Sequence, residues 1–111
     1  MTDSAVVYDA ARLFDGERFV EPARVAVRGG RVEAVGEAAT GSSAPVEDLG
    51  DVTLMPGFVD CHQHLVFDGN GTLEEQVTGR TDEELTERAR ANARRALAGG
   101  VTTLRDLGDR G

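Results

Sequence analysis

Hydrophobic positions recur every second residue in the first third of the chain and at helical spacing in the last third. Ala5-Val6-Val7-Tyr8 is a short apolar run, and Asp15-Gly16 is a turn dipeptide between Leu13-Phe14 and Phe19-Val20. Val25 and Val27 alternate with polar or small neighbours, Gly29-Gly30 follows, and Val32, Ala34 and Val35 run back. This pattern predicts a hairpin whose turn needs positive φ, which glycine adopts freely. Residues 1–36 therefore read as a half-buried antiparallel sheet. Glu37 to Asp48 has no period and reads as a loop or linker. Leu49 to Leu54 fits a short strand that stops at Met55-Pro56-Gly57, because proline cannot donate to a ladder.

Phe58 to Leu65 predicts a buried strand of a different kind. Phe67 to Gly79 is glycine-rich and polar and reads as a long loop, a functional rim or a mobile flap. Thr81 to Ala98 predicts a helix, opened by the capping box Thr81-Asp82-Glu83-Glu84 and closed by Gly99-Gly100. Leu85, Ala89, Ala93, Ala96 and Leu97 form a small-residue stripe suited to packing on a sheet. Val101 to Leu104 reads as a second buried strand. Strand, loop, helix and strand make a βαβ unit with parallel strands. The expected division is residues 1–55 and 56–111.

Composition narrows the function classes. The 111 residues allow one small domain or a piece of a larger one. A net charge of −8 argues against nucleic acid or an anionic membrane surface as partner. No apolar run approaches the ~20 residues of a membrane span. The single cysteine, Cys61, excludes an intrachain disulfide and fits a reducing cytoplasm. All 12 basic residues are arginine. With no lysine, the chain itself supplies no Schiff base, Walker-type phosphate loop or carboxylated-lysine metal bridge.

The two histidines, His62 and His64, sit two apart. On an extended strand Asp60, His62 and His64 share one face, while Cys61 and Gln63 point to the other. Same-face neighbours lie roughly 6.5 Å apart, so two imidazoles converge on one metal ion with a carboxylate behind them. A bare His-X-His is more often an ordinary surface or core feature. Its place here, at a strand end before a βα loop, favours a ligand pair. Arg105 and Asp106 end the second parallel strand and reach toward substrate or form a structural pair, the second being the commoner use. Cys61 reads as a buried inert thiol. The glutamates around the helix read as a solvated face, and Asp68-Gly69-Asn70-Gly71 lacks the remaining ligands of a calcium loop.

The block Leu54-Met55-Pro56-Gly57-Phe58-Val59-Asp60-Cys61-His62-Gln63-His64-Leu65, joined by residues 96–108, resembles the amidohydrolase superfamily of metal-dependent hydrolases. The second segment is most similar to its imidazolonepropionase-like and prolidase-like branch. The resemblance implies a composite N-terminal β-sandwich, built from strands before and after a (β/α)8 barrel. By position, His62 and His64 would be metal ligands on the first barrel strand and Asp60 a neighbouring supporting residue. It also implies one or two divalent ions, usually zinc, and a metal-bound hydroxide that attacks an amide, cyclic amide, carbamate or Xaa-Pro-type substrate. Family members use a bridging lysine, two further histidines and a late aspartate that this chain lacks, and a closed barrel needs about 250 residues.

The expected fold is thus mixed α/β, with N-terminal antiparallel β-sandwich strands followed by the first βαβ unit of an uncompleted TIM-type barrel. The expected protein is the N-terminal portion of an amidohydrolase, inactive as an isolated chain. The alternative is a non-catalytic module that self-associates as a homo-oligomer or complements a second chain.

Overall fold

The computed structural model describes residues 4–108 and divides into two compact units, Met1–Pro56 and Gly57–Gly111. In chain order the first unit holds β1 (Ala5–Asp9), β2 (Arg12–Leu13), β3 (Arg24–Arg28), β4 (Arg31–Val35), α1 (Glu37–Thr40), β5 (Val46–Asp48) and β6 (Thr53–Leu54). Four of these strands form one sheet in the order β4-β3-β1-β5, and β2 pairs with β6. The expected hairpin is present. Arg28 faces Arg31 across Gly29 and Gly30, at φ 55° and 77°, the left-handed torsions a two-residue turn demands. Asp15 closes the other expected turn, its Oδ1 accepting from the backbone N–H groups of Glu17 and Arg18 at 2.8 and 2.9 Å. Across β1 and β3, Asp9 lies opposite Arg24 and the two form an ion pair at 2.7 Å.

Two segments differ from the sequence reading. Residues 37–48 are not a plain linker but contain α1 and β5, and β5 pairs parallel with β1, so the sheet is mixed rather than wholly antiparallel. Ala39 explains the helix: it is buried against Val7 and Ala26, a packing gain too local to leave a period in the sequence. Within Leu49–Leu54 only Thr53–Leu54 is strand, paired parallel with β2. The sheet is also covered on both faces rather than one. Val7, Ala26 and Ala39 form one cluster, while Leu13, Ala23 and Val25 form another with Val20, Val27 and Leu54 around it. Adjacent Val25 and Ala26 supply opposite faces, as strand alternation requires. On the Val25 side an apolar cleft of about 390 Å³ opens among Tyr8, Leu13, Val27, Leu54 and Pro56.

The second unit holds β7 (Phe58–Gln63), α2 (Leu73–Val77), α3 (Asp82–Ala98) and β8 (Val101–Asp106). β7 and β8 pair in parallel with α3 as the crossover, which is the expected βαβ unit. The α3 capping box forms: Thr81 Oγ1 accepts from Glu84 N at 3.2 Å, and Glu84 Oε2 accepts from Thr81 N at 2.9 Å. Gly57 lies so close to Thr102 that a Cβ there would overlap its side chain, and Gly100, at φ 94°, is set against the Phe58 ring.

Here too the structure corrects the reading. β7 stops at Gln63 rather than Leu65, and no residue of β7 or β8 is buried, although both were expected to be. Phe58 is 54% and Val59 64% exposed. A parallel pair is buried only when layers cover both faces and further strands cover its edges, and this unit supplies one crossover helix. The 67–79 loop is also more built than a flap. It contains α2, started by a second capping box in which Thr72 Oγ1 accepts from Glu75 N at 3.3 Å. Asn92 Nδ2 donates to Leu65 O at 2.7 Å and Phe67 O at 3.0 Å, and Arg88 reaches Val66 O and Gln76 O at 3.4 Å. Gln76 is buried and accepts from Asp68 N at 2.8 Å.

Candidate functional site

β7 delivers Asp60, Cys61 and His62 in succession, and His64 follows just past its end. The two imidazoles are neighbours, with ring centroids 5.4 Å apart and planes at 69°, and Phe67 lies 5.4 Å from the His64 ring. The rings meet although the pairing of β7 with β8 shifts register between Asp60 and Gln63, so simple strand alternation does not run through this stretch. Asp60 meets His62 through the backbone: its Oδ1 accepts from His62 N at 3.0 Å, fixing the main chain rather than the ring.

His64 is held from the other strand. Its Nδ1 lies 2.8 Å from the carbonyl oxygen of Gly108. A carbonyl only accepts, so Nδ1 carries the proton and Nε2 is the ring nitrogen not engaged by this bond. Asp106, at the end of β8, binds both strand ends: Oδ2 accepts from Leu65 N at 3.1 Å and Oδ1 from Gly108 N at 2.8 Å. Arg105 beside it is exposed. Cys61 is exposed as well, which corrects the expectation of a buried thiol and follows from the open faces of β7. Gln63 Oε1 is a buried oxygen without a hydrogen-bond partner, while its backbone oxygen accepts from Leu107 N at 2.9 Å.

Gly108 is the residue that sequence reasoning missed. The signal was present in Asp106-Leu107-Gly108, since an aspartate two residues before a glycine marks a turn in which the carboxylate takes the second following amide.

Two imidazoles side by side, one with its Nε2 free of the bond to Gly108, are of the donor type that suits zinc or a similar divalent ion. Among the described residues no group of three or more His, Cys, Asp or Glu gathers into a metal site. The described residues thus bring two imidazole rings side by side and not a full ligand set.

Residues 53–111 match the family model described as the amidohydrolase family. The allantoinase of Streptomyces avermitilis is 38% identical over 109 residues, which is 96% of this chain and 21% of that protein. An imidazolonepropionase of Pseudomonas fluorescens is 38% identical over 71 residues, 60% of this chain and 18% of that protein. A solved Xaa-Pro dipeptidase with bound methionine in its active site superposes with a TM-score of 0.74 at 23% identity, covering 97% of this chain and 27% of that one. At that identity the likeness is one of fold. A mixed α/β chain with a histidine pair at the end of β7, matched over residues 53–111, belongs to the amidohydrolase family. It spans 18% and 21% of the lengths of these two curated relatives.

Proposed function

We propose that the chain is the N-terminal portion of a metal-dependent hydrolase acting on amide-type C–N bonds, with His62 and His64 as metal ligands. The observation that carries this reading is the adjacency of the two rings, 5.4 Å apart, at the end of β7 in a family of hydrolases. The substrate class is cyclic amide, carbamate or Xaa-Pro-like, in keeping with relatives named imidazolonepropionase and allantoinase. In this reading residues 1–55 belong to a composite β-sandwich, and residues 56–111 carry the first strand, helix and second strand of a (β/α)8 barrel. The reading puts the protein in the cytoplasm, in keeping with its single cysteine.

A bound divalent ion, zinc foremost, would ionise water and polarise the scissile carbonyl. This chain's part is to hold it. His62 and His64 offer ring nitrogens, Asp60 fixes the His62 backbone, and Arg105 is the candidate cation on the substrate side. Two protein ligands are fewer than the three a catalytic zinc site takes, so the chain alone has no competent turnover. Cobalt(II) titration followed by histidine NMR tests the site: both rings broaden together, and His62→Ala or His64→Ala abolishes the joint effect. No broadening in the wild-type chain would overturn the assignment. In the chain at its relatives' length, amide hydrolysis is expected to be lost on chelation and in His62→Ala.

A second reading is favoured by the exposure of Phe58 and Val59 on β7. Here the unit is a non-catalytic module whose open strands pair with a second copy or a complementing chain.

A further inference from the structure

We infer that Asp106 is a positioning residue for His64: through Gly108 it sets which imidazole nitrogen is offered to a metal. The inference rests on the metal-site reading above and concerns this chain's own hydrogen bonds. Three contacts form the relay. Asp106 Oδ2 accepts from Leu65 N at 3.1 Å, tying the residue after His64 to the end of β8. Asp106 Oδ1 accepts from Gly108 N at 2.8 Å, closing the turn. The carbonyl of Gly108 then takes the Nδ1–H of His64 at 2.8 Å. Gly108 sits at φ 107°, a torsion other residues adopt with strain, so the turn that aims this carbonyl depends on glycine as well as on the carboxylate.

The consequence is a choice of tautomer. A free neutral imidazole carries its proton on either nitrogen, and a ring bonded to a carbonyl through Nδ1 is held in the Nδ1–H form. Nε2 is then the only nitrogen with a lone pair. His62 has no such bond among the described contacts; its fixed point is the backbone N–H that Asp60 accepts. The two histidines are thus prepared differently, one by its ring and one by its main chain. Supporting groups of this kind govern ligand orientation at metal centres.

The test is read on the metal-free chain by side-chain ¹⁵N NMR, with the two histidines assigned from a His62→Asn variant. Wild-type His64 is expected to show the Nδ1–H pattern. In Asp106→Ala, which removes both acceptors, the His64 signal changes over to the Nε2–H pattern while His62 stays unchanged. Asp106→Asn keeps one acceptor and gives an intermediate pattern; it decides the matter if the alanine variant does not fold. A wild-type His64 in the Nε2–H form overturns the inference. So does a His64 pattern unchanged in both variants, or one that moves together with His62. Because no metal is present in this experiment, a wild-type chain that fails to bind cobalt removes the metal reading while a tautomer that follows Asp106 still supports the positioning role.

Discussion

In the N-terminal unit Val7 on β1 and Ala39 on α1 are 2% and 1% exposed, whereas in the C-terminal unit no residue of β7 or β8 is buried. β7 and β8 are less apolar than β1 and β3, and the layers around them differ as well. The first unit packs residues on both faces of its four-stranded sheet, with α1 on one side and Leu13 and Leu54 on the other. The second has two parallel strands and a single crossover helix. It buries Val66 and Leu85 outside these strands, and polar contacts to backbone add to that: Asn92 and Arg88 hold the loop after β7, and Asp106 ties together the ends of both strands. The unit that is well packed carries no candidate site residue, and the unit with the histidines is the open one.

The contrast is broken hardest at Leu13, which is 3% exposed in the N-terminal core. Leu13→Ala is expected to cost about 2–5 kcal/mol, read from the denaturation midpoint of that unit. A loss below about 1 kcal/mol would show that its clusters are not a working core.

Next in size is Gly57→Ala, whose Cβ would overlap Thr102 between the parallel strands. Overpacking there is expected to cost about 1–3 kcal/mol and to weaken hydrogen-exchange protection along β7 and β8. Unchanged protection would mean the strands separate readily and that their close approach matters little.

Val59→Ser sharpens the comparison from the other side. In a monomeric chain this 64% exposed position should change stability by less than about 0.5 kcal/mol. If a second copy covers β7, the same change lowers the association seen by light scattering. A wild-type chain that stays monomeric at high concentration would rule out the self-associating reading.

The smallest effect expected is in acid. The backbone N–H and then the hydroxyl of Thr72 hold the Glu75 carboxyl below its usual range, and the N–H groups of Arg18 and then Glu17 do the same for Asp15. Both groups are lowered in the folded chain, so their contribution is present above the unfolded carboxylate value of roughly 4. It is lost as pH falls through their folded values. Carboxyl ¹³C titration should give Glu75 a midpoint below that of an ordinary glutamate, and Glu75→Gln should remove its share of the acid sensitivity of α2. An ordinary midpoint would show that the second capping box does not persist in solution.

Much of the fold was legible from local rules. Gly29-Gly30, Asp15-Gly16 and Thr81-Glu84 each encode a turn or cap within four residues, and all three form. The βαβ order followed from two apolar runs around a capped helix. The capping box at Thr72 and Glu75 obeyed the same rule, yet its neighbouring glycines and polar residues made the stretch read as loop. The parallel pairing of β5 with β1 had no local signal, because partner choice between distant strands is decided by what they jointly bury.

By itself the sequence determined that the two histidines lie two residues apart, that a helix crosses between two parallel strands, and that these 111 residues hold no lysine. These depend only on residue type and on backbone periods of 2 and 3.6. The tertiary structure decided that Asp60 serves the backbone, that His64 is held by the Gly108 carbonyl, and that Cys61 is exposed. The hydrogen bond between residues 64 and 108 is made by groups far apart along the chain. It exists because β7 and β8 pair in parallel with register shifts at Phe58/Val59 and Asp60/Gln63, and a period counted along either strand carries no information about that pairing.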